Sequence, residues 1–142
     1  MASRLAKRIN RIQALIRKLQ SKTEGQEEVL GFIVYGSFSK ASNHKPNEFS
    51  DVDLEIVVKD DAYAKYLANF RSWFEGNFEP VLIETSVSHL NKILVTKDFV
   101  DLQFKITPLS DFDRIDKREL NYFPNGYDLV FDKTGILENK IK

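Results

Sequence analysis

Two aspartates in alternation, Asp51 and Asp53, follow a small pair, Gly36-Ser37, across a polar run that holds Pro46. In a strand, residues two apart point to the same face at a rise of about 3.3 Å each. Asp51 and Asp53 therefore stand together, with Val52 and Leu54 packing behind them. Carboxylates held that close repel and need a cation. The chain has no cysteine and two histidines, so the fitting cation is a hard one such as Mg2+, which takes oxygen ligands and keeps positions open for phosphates. Gly36 and Ser37 supply the complementary half. A turn that opens into a helix presents unpaired backbone N–H groups, glycine lets the backbone approach closely, and serine adds a hydroxyl donor. Lys40 and Lys45, in the loop between the two motifs, are candidate phosphate or substrate contacts, and His44 reads as a solvated loop residue. Glu55 shares the face of the carboxylate pair one step further along and reads as lying outside the metal's own ligands.

The elements that must position these residues follow from the pattern of apolar residues. Val29 to Tyr35 is an almost unbroken apolar run, the mark of a strand buried on both faces. Asp51 to Val58 is the strand that carries the aspartates. Before them, Leu5, Ile9, Ile12, Leu15, Ile16 and Leu19 recur at helical spacing, with Ser21 to Gln26 as a connector. Tyr63, Tyr66, Leu67, Phe70, Trp73 and Phe74 make a second apolar stripe, which predicts a helix capped by Asp60 or Asp61, running to about Glu75 and stopped at Gly76-Asn77. A strand over Phe78 to Glu84 comes next, then a hairpin of Leu90 to Thr96 and Phe99 to Ile106 around Lys97-Asp98. In its second arm Val100, Leu102, Phe104 and Ile106 alternate with Asp101, Gln103 and Lys105. Asp101 is either plain polar alternation or the third carboxylate of a metal site. Pro108 to Phe123 reads as a short, broken helix, Pro124-Asn125-Gly126 as a turn, and Tyr127 to Phe131 as a last strand. No internal repeat or low-complexity segment is present.

Composition bounds the rest. A chain of 142 residues with 42% hydrophobic and 30% charged residues suits one ordinary globular domain. It has no apolar run of membrane-spanning length and no leader pattern at its start, and with no cysteine it has neither disulfide nor thiolate site, so a cytoplasmic location is expected. The formal net charge is zero, yet seven bases precede the first acid, Glu24, which leaves the remaining chain acidic. Such a basic helix could meet nucleic acid or a membrane surface. Its apolar stripe favours the plainer reading, a helix packed on its own domain with its bases solvated, so neither partner is expected.

Tyr35-Gly36-Ser37, Asp51-Val52-Asp53 and the later Val100-Asp101-Leu102 stand in the order of the nucleotidyltransferase signature: a strand ending in Gly-Ser, then Asp-x-Asp, then a third acid. The wording YGSFSK, SDVDLEIVV and LVFDKTGILEN resembles the lincosamide nucleotidyltransferases and the aminoglycoside 6-adenylyltransferases, over about Phe32 to Asn139. The resemblance implies an α/β (α+β) chain with the polymerase beta-like nucleotidyltransferase fold, a mixed β-sheet flanked by helices. It implies residues 1–142 as a single catalytic domain, without the C-terminal helical domain of the related enzymes. It also implies a transferase that moves a nucleoside monophosphate, AMP from ATP, to a hydroxyl of a small acceptor such as an antibiotic, with two Mg2+ ions. Asp51 and Asp53 are then metal ligands, Asp101 third ligand or general base, and Gly36, Ser37 and Lys40 contacts of the nucleotide. A homodimer is expected, the second copy supplying the wall of the acceptor site through the first helix's stripe. Two other readings stand beside this one: a minimal toxin-antitoxin-type nucleotidyltransferase that modifies a partner protein, and a noncatalytic nucleotide-binding or interaction module.

Overall fold

In the computed structural model, residues 3–38, 46, 52–77, 81–85, 90–95, 100–112, 127–135 and 137–138 are described. A first helix, α1 (Arg4–Glu24), starts at Ser3, whose hydroxyl accepts from the Ala6 N–H at 3.0 Å. Strands β1 (Val29–Tyr35) and β2 (Val52–Val58) follow, then α2 (Tyr63–Asn77), β3 (Val81–Thr85), β4 (Leu90–Val95), β5 (Val100–Pro108), the single turn α3 (Leu109–Phe112) and β6 (Tyr127–Asp132). The strands form one mixed sheet in the order β3-β4-β5-β2-β1-β6. All neighbours are antiparallel except β2 and β5, which run parallel. The chain is thus α+β. Among the described residues no helix is long and apolar enough to cross a membrane.

Both long helices pack on one face of the sheet. Ile12 and Leu19 of α1 and Phe70 and Phe74 of α2 join Phe32, Val34, Val52, Leu54, Ile56, Leu102, Phe104 and Ile106 in one core cluster. Phe104 is its centre, stacked on Phe70 at 5.4 Å and edge-on to Phe74 at 5.5 Å between ring centroids. A smaller cluster on the other face gathers Ile33, Tyr35, Val57 and Leu137. Leu137 lies so close over β1 that a Cβ on Gly31 would come within 2.2 Å of its Cδ1, which explains a glycine in the middle of a buried strand.

Several local expectations shift. The first helix extends into the expected connector as far as Glu24, and the buried Thr23 hydroxyl donates to the Leu19 and Gln20 carbonyls of its last turn. Its stripe is consumed by the sheet at Ile12 and Leu19, and Leu5, near its start, is exposed. Asp60 and Asp61 lie within a short 3-10 turn (Asp60–Ala62) that leads into α2, and the Asp60 Oδ1 accepts at 2.9 Å from the Ser110 N–H in the first turn of α3 instead. Gly76 lies inside α2, and Asn77 ends it with its side-chain amide donating to the Trp73 carbonyl at 2.7 Å. Pro108 closes β5 rather than opening a helix. Of the broken helix expected to follow, Leu109–Phe112 is described as a single turn.

Because Phe104 touches both rings of α2 and is 1% exposed, Phe104→Ala should cost about 3–5 kcal/mol. Urea unfolding measures this; an unchanged midpoint would show that the described core does not carry the fold.

Candidate functional site

Antiparallel pairing of β1 with β2, and parallel pairing of β2 with β5, bring one end of β1 and the beginnings of β2 and β5 to the same end of the sheet. There Tyr35, the last residue of β1, pairs with Asp53, and Asp53 pairs with Gln103 on its other side. Asp101 lies two residues before Gln103 and pairs with Leu94 of β4. Just past Tyr35 the chain leaves the sheet through a 3-10 turn, Gly36–Phe38. Gly36 adopts φ +77°, a left-handed backbone that side chains disfavour, and a Cβ built on it would lie 3.7 Å from Asp53 Oδ2. Glycine, the turn and a half-buried carboxylate therefore meet at one point.

Of the residues singled out in the sequence, Gly36 and Asp53 are brought together. Ser37 sits in the same turn and Asp101 on the strand that neighbours β2. Asp51, Lys40, Lys45 and His44 lie outside the described residues. Among the described residues, no three His, Cys, Asp or Glu side chains gather into a metal cluster.

The residues that sequence reasoning undervalued are behind Asp53 on the same face. Glu55, expected on a polar face, is 4% exposed. Its Oε1 accepts from the Tyr35 hydroxyl at 2.5 Å, its Oε2 accepts from the Thr107 hydroxyl, and the Lys105 ammonium stands 4.0 Å from Oε2. Both carboxylate oxygens are thus engaged, which meets the requirement that a buried charge be paired and hydrogen-bonded. Tyr35 comes from β1, and Thr107 and Lys105 from β5, so one side chain ties three strands next to the Gly36 turn. Burial, with the Glu55 charge second and the hydrogen bond to it third, pushes the Tyr35 phenol well above its usual range. The signal in the sequence was a glutamate set inside a run that is otherwise apolar, Leu54 to Val58. Its partners could not be named without the register.

The opposite face holds a cavity of about 450 Å³ between α2, the end of α1 and the sheet. Ile56, Tyr66, Phe70, Trp73, Phe104 and Ile106 line it, and a Glu28–Lys65 ion pair of 3.0 Å stands among its polar lining. Asp53 and Gly36 are not part of it.

No family model matches the chain, and no curated protein matches it.

Because Tyr35 is held neutral in the folded protein, its folded pKa exceeds the ordinary 10.0. The corresponding stability is complete below pH 10 and is lost above it, by up to about 1.4 kcal/mol per pH unit. Chemical denaturation from pH 8 to 11 should show a steeper decline for the parent than for Tyr35→Phe. Equal slopes would mean that Tyr35 is not locked against Glu55.

Proposed function

We propose that this end of the sheet binds a metal-complexed nucleoside triphosphate and transfers its nucleoside monophosphate to a hydroxyl acceptor, the α–β phosphoanhydride bond breaking to release pyrophosphate, on the polymerase beta-like nucleotidyltransferase plan. The observation that carries the reading is the left-handed turn at Gly36 lying directly against the Asp53 carboxylate. Backbone amides leaving a strand through such a turn favour phosphate oxygens, and a carboxylate beside them favours a hard cation bridging to those oxygens.

A carboxylate oxygen of Asp53 is the kind of hard donor that Mg2+ takes. Asp53 is a half-buried carboxylate on the face that carries neither long helix, whereas Glu55, spent on two hydroxyls, is a support rather than a ligand. Asp53, with Asp51 beside it in sequence, would hold the metal, whose chemistry is to neutralise the triphosphate and polarise the phosphorus under attack. Gly36 admits the phosphate chain close to the backbone, and Ser37 offers a hydroxyl donor. Asp101, on the neighbouring strand, completes the carboxylate set or accepts the proton of the incoming hydroxyl. The Tyr35–Glu55–Thr107 network keeps the strand ends in register, which matters because transfer depends on holding nucleophile and phosphorus in line. ATP as donor and a small hydroxylated molecule as acceptor are the substrate classes proposed, on the strength of the motif wording.

Asp53→Asn should abolish the Mg2+ dependence of ATP binding in calorimetry while leaving the melting temperature within about 2–4 °C of the parent. Equal ATP affinity of the parent with Mg2+ and with chelator would remove the reading. For Asp101→Asn, a loss of roughly two to four orders of magnitude in transfer rate with retained nucleotide affinity identifies the base. A parallel loss of affinity identifies a ligand, and a parental rate eliminates both roles.

A further inference from the structure

Lys105 occupies an unusual place for a basic residue. It lies on β5 opposite Glu55 of β2, one row along from the Asp53–Gln103 pair. Its ammonium stands 4.0 Å from Glu55 Oε2, at the outer limit of an ion pair, and its side chain is 56% exposed whereas that of Glu55 is 6% exposed. Such a loose, half-exposed pair contributes little stability. Glu55 does not depend on it for hydrogen bonding, since the Tyr35 and Thr107 hydroxyls already occupy both of its oxygens. The ammonium has three donors. Facing pairs one row apart on adjacent strands are about 7–8 Å from each other, within reach of a long side chain. A half-exposed cation thus stands against a buried carboxylate, one row along from Asp53.

We infer that Lys105 is the residue that takes the phosphate oxygens of the ligand bound at Gly36 and Asp53, with Glu55 as the residue that positions it. This rests on the nucleotide reading above and adds to it a specific phosphate contact. A lysine acts on phosphate as a point charge and needs no fixed fork geometry, which suits an anion that must leave after transfer. Glu55 keeps the ammonium near the site in the absence of ligand, and the loose 4.0 Å contact lets it move onto phosphate at small cost.

The test is calorimetric titration of the full chain with inorganic pyrophosphate, ATP and AMP, each with excess Mg2+, for the parent, Lys105→Gln and Lys105→Arg. Lys105→Gln is expected to weaken pyrophosphate and ATP roughly ten- to a hundredfold, the loss of one charge-assisted hydrogen bond. AMP should change about twofold or less, Lys105→Arg should retain most of the affinity, and the melting temperature should stay with the parent. If the parent binds ATP and pyrophosphate and Lys105→Gln binds them equally well, Lys105 is not the phosphate contact and the nucleotide reading stands. A fall in melting temperature with unchanged pyrophosphate affinity would likewise overturn the inference, making Lys105 only a counter-charge for Glu55. A parent that binds neither ATP nor pyrophosphate would overturn the nucleotide reading itself and this inference with it.

Discussion

A carboxylate buried within a sheet has to be held from more than one side, and Glu55 of β2 is held from both neighbouring strands at once. Two hydroxyls reach it, from Tyr35 on β1 and Thr107 on β5, and Lys105 stands at its edge. Removing either hydroxyl leaves a buried carboxylate oxygen unsatisfied, a cost of about 1–3 kcal/mol or more, so the register of β1 against β2 and of β2 against β5 is strongly specified at this point. Everything proposed for the site depends on that register. Tyr35 is the residue before the Gly36 turn, and Glu55 is two residues from Asp53. A slip of one residue in either pairing would exchange the faces of the strand and separate the turn from the carboxylate.

The two faces of the sheet divide the work. The face under α1 and α2 is apolar, centred on Phe104 and its aromatic neighbours, and provides the burial that makes the domain stable. Among the described residues the opposite face gathers a smaller apolar cluster around Ile33, Val57 and Leu137, and carries Asp53, Glu55, Gln103 and Lys105 along two adjacent strands. The cavity beside Trp73 belongs to the first face. Its polar lining includes Glu27, Glu28 and Lys65, and neither Asp53 nor the positive-φ Gly36 belongs to it.

Much of this was legible in the sequence where the signal is local. The apolar run Val29 to Tyr35 is the strand the structure contains, and the alternation in Val100 to Ile106 identified both the strand and its core face. Gly36 and Asp53, which the sequence singles out as candidate phosphate and metal contacts, are brought side by side. Local rules failed where a tertiary contact decided the outcome. Asp60 accepts from the Ser110 N–H of α3, fifty residues distant, rather than serving α2. Glu55 is the instructive failure: its two hydroxyl partners lie 20 and 52 residues away in sequence, so alternation assigned it to a polar face and gave no sign that this face was closed around it.

The central claim is that a metal-bound phosphate chain sits between the Gly36 turn and Asp53. Crystals grown with Mn2+ and a nonhydrolysable ATP analogue test it most directly, because the anomalous signal of manganese locates the ion without reference to any assumed chemistry. The account predicts an anomalous peak within about 2–2.5 Å of an Asp53 carboxylate oxygen, an ordinary metal–oxygen distance, with phosphate density against the Gly36 backbone. A nucleotide found in the cavity beside Trp73, or a manganese peak remote from Asp53, would contradict it.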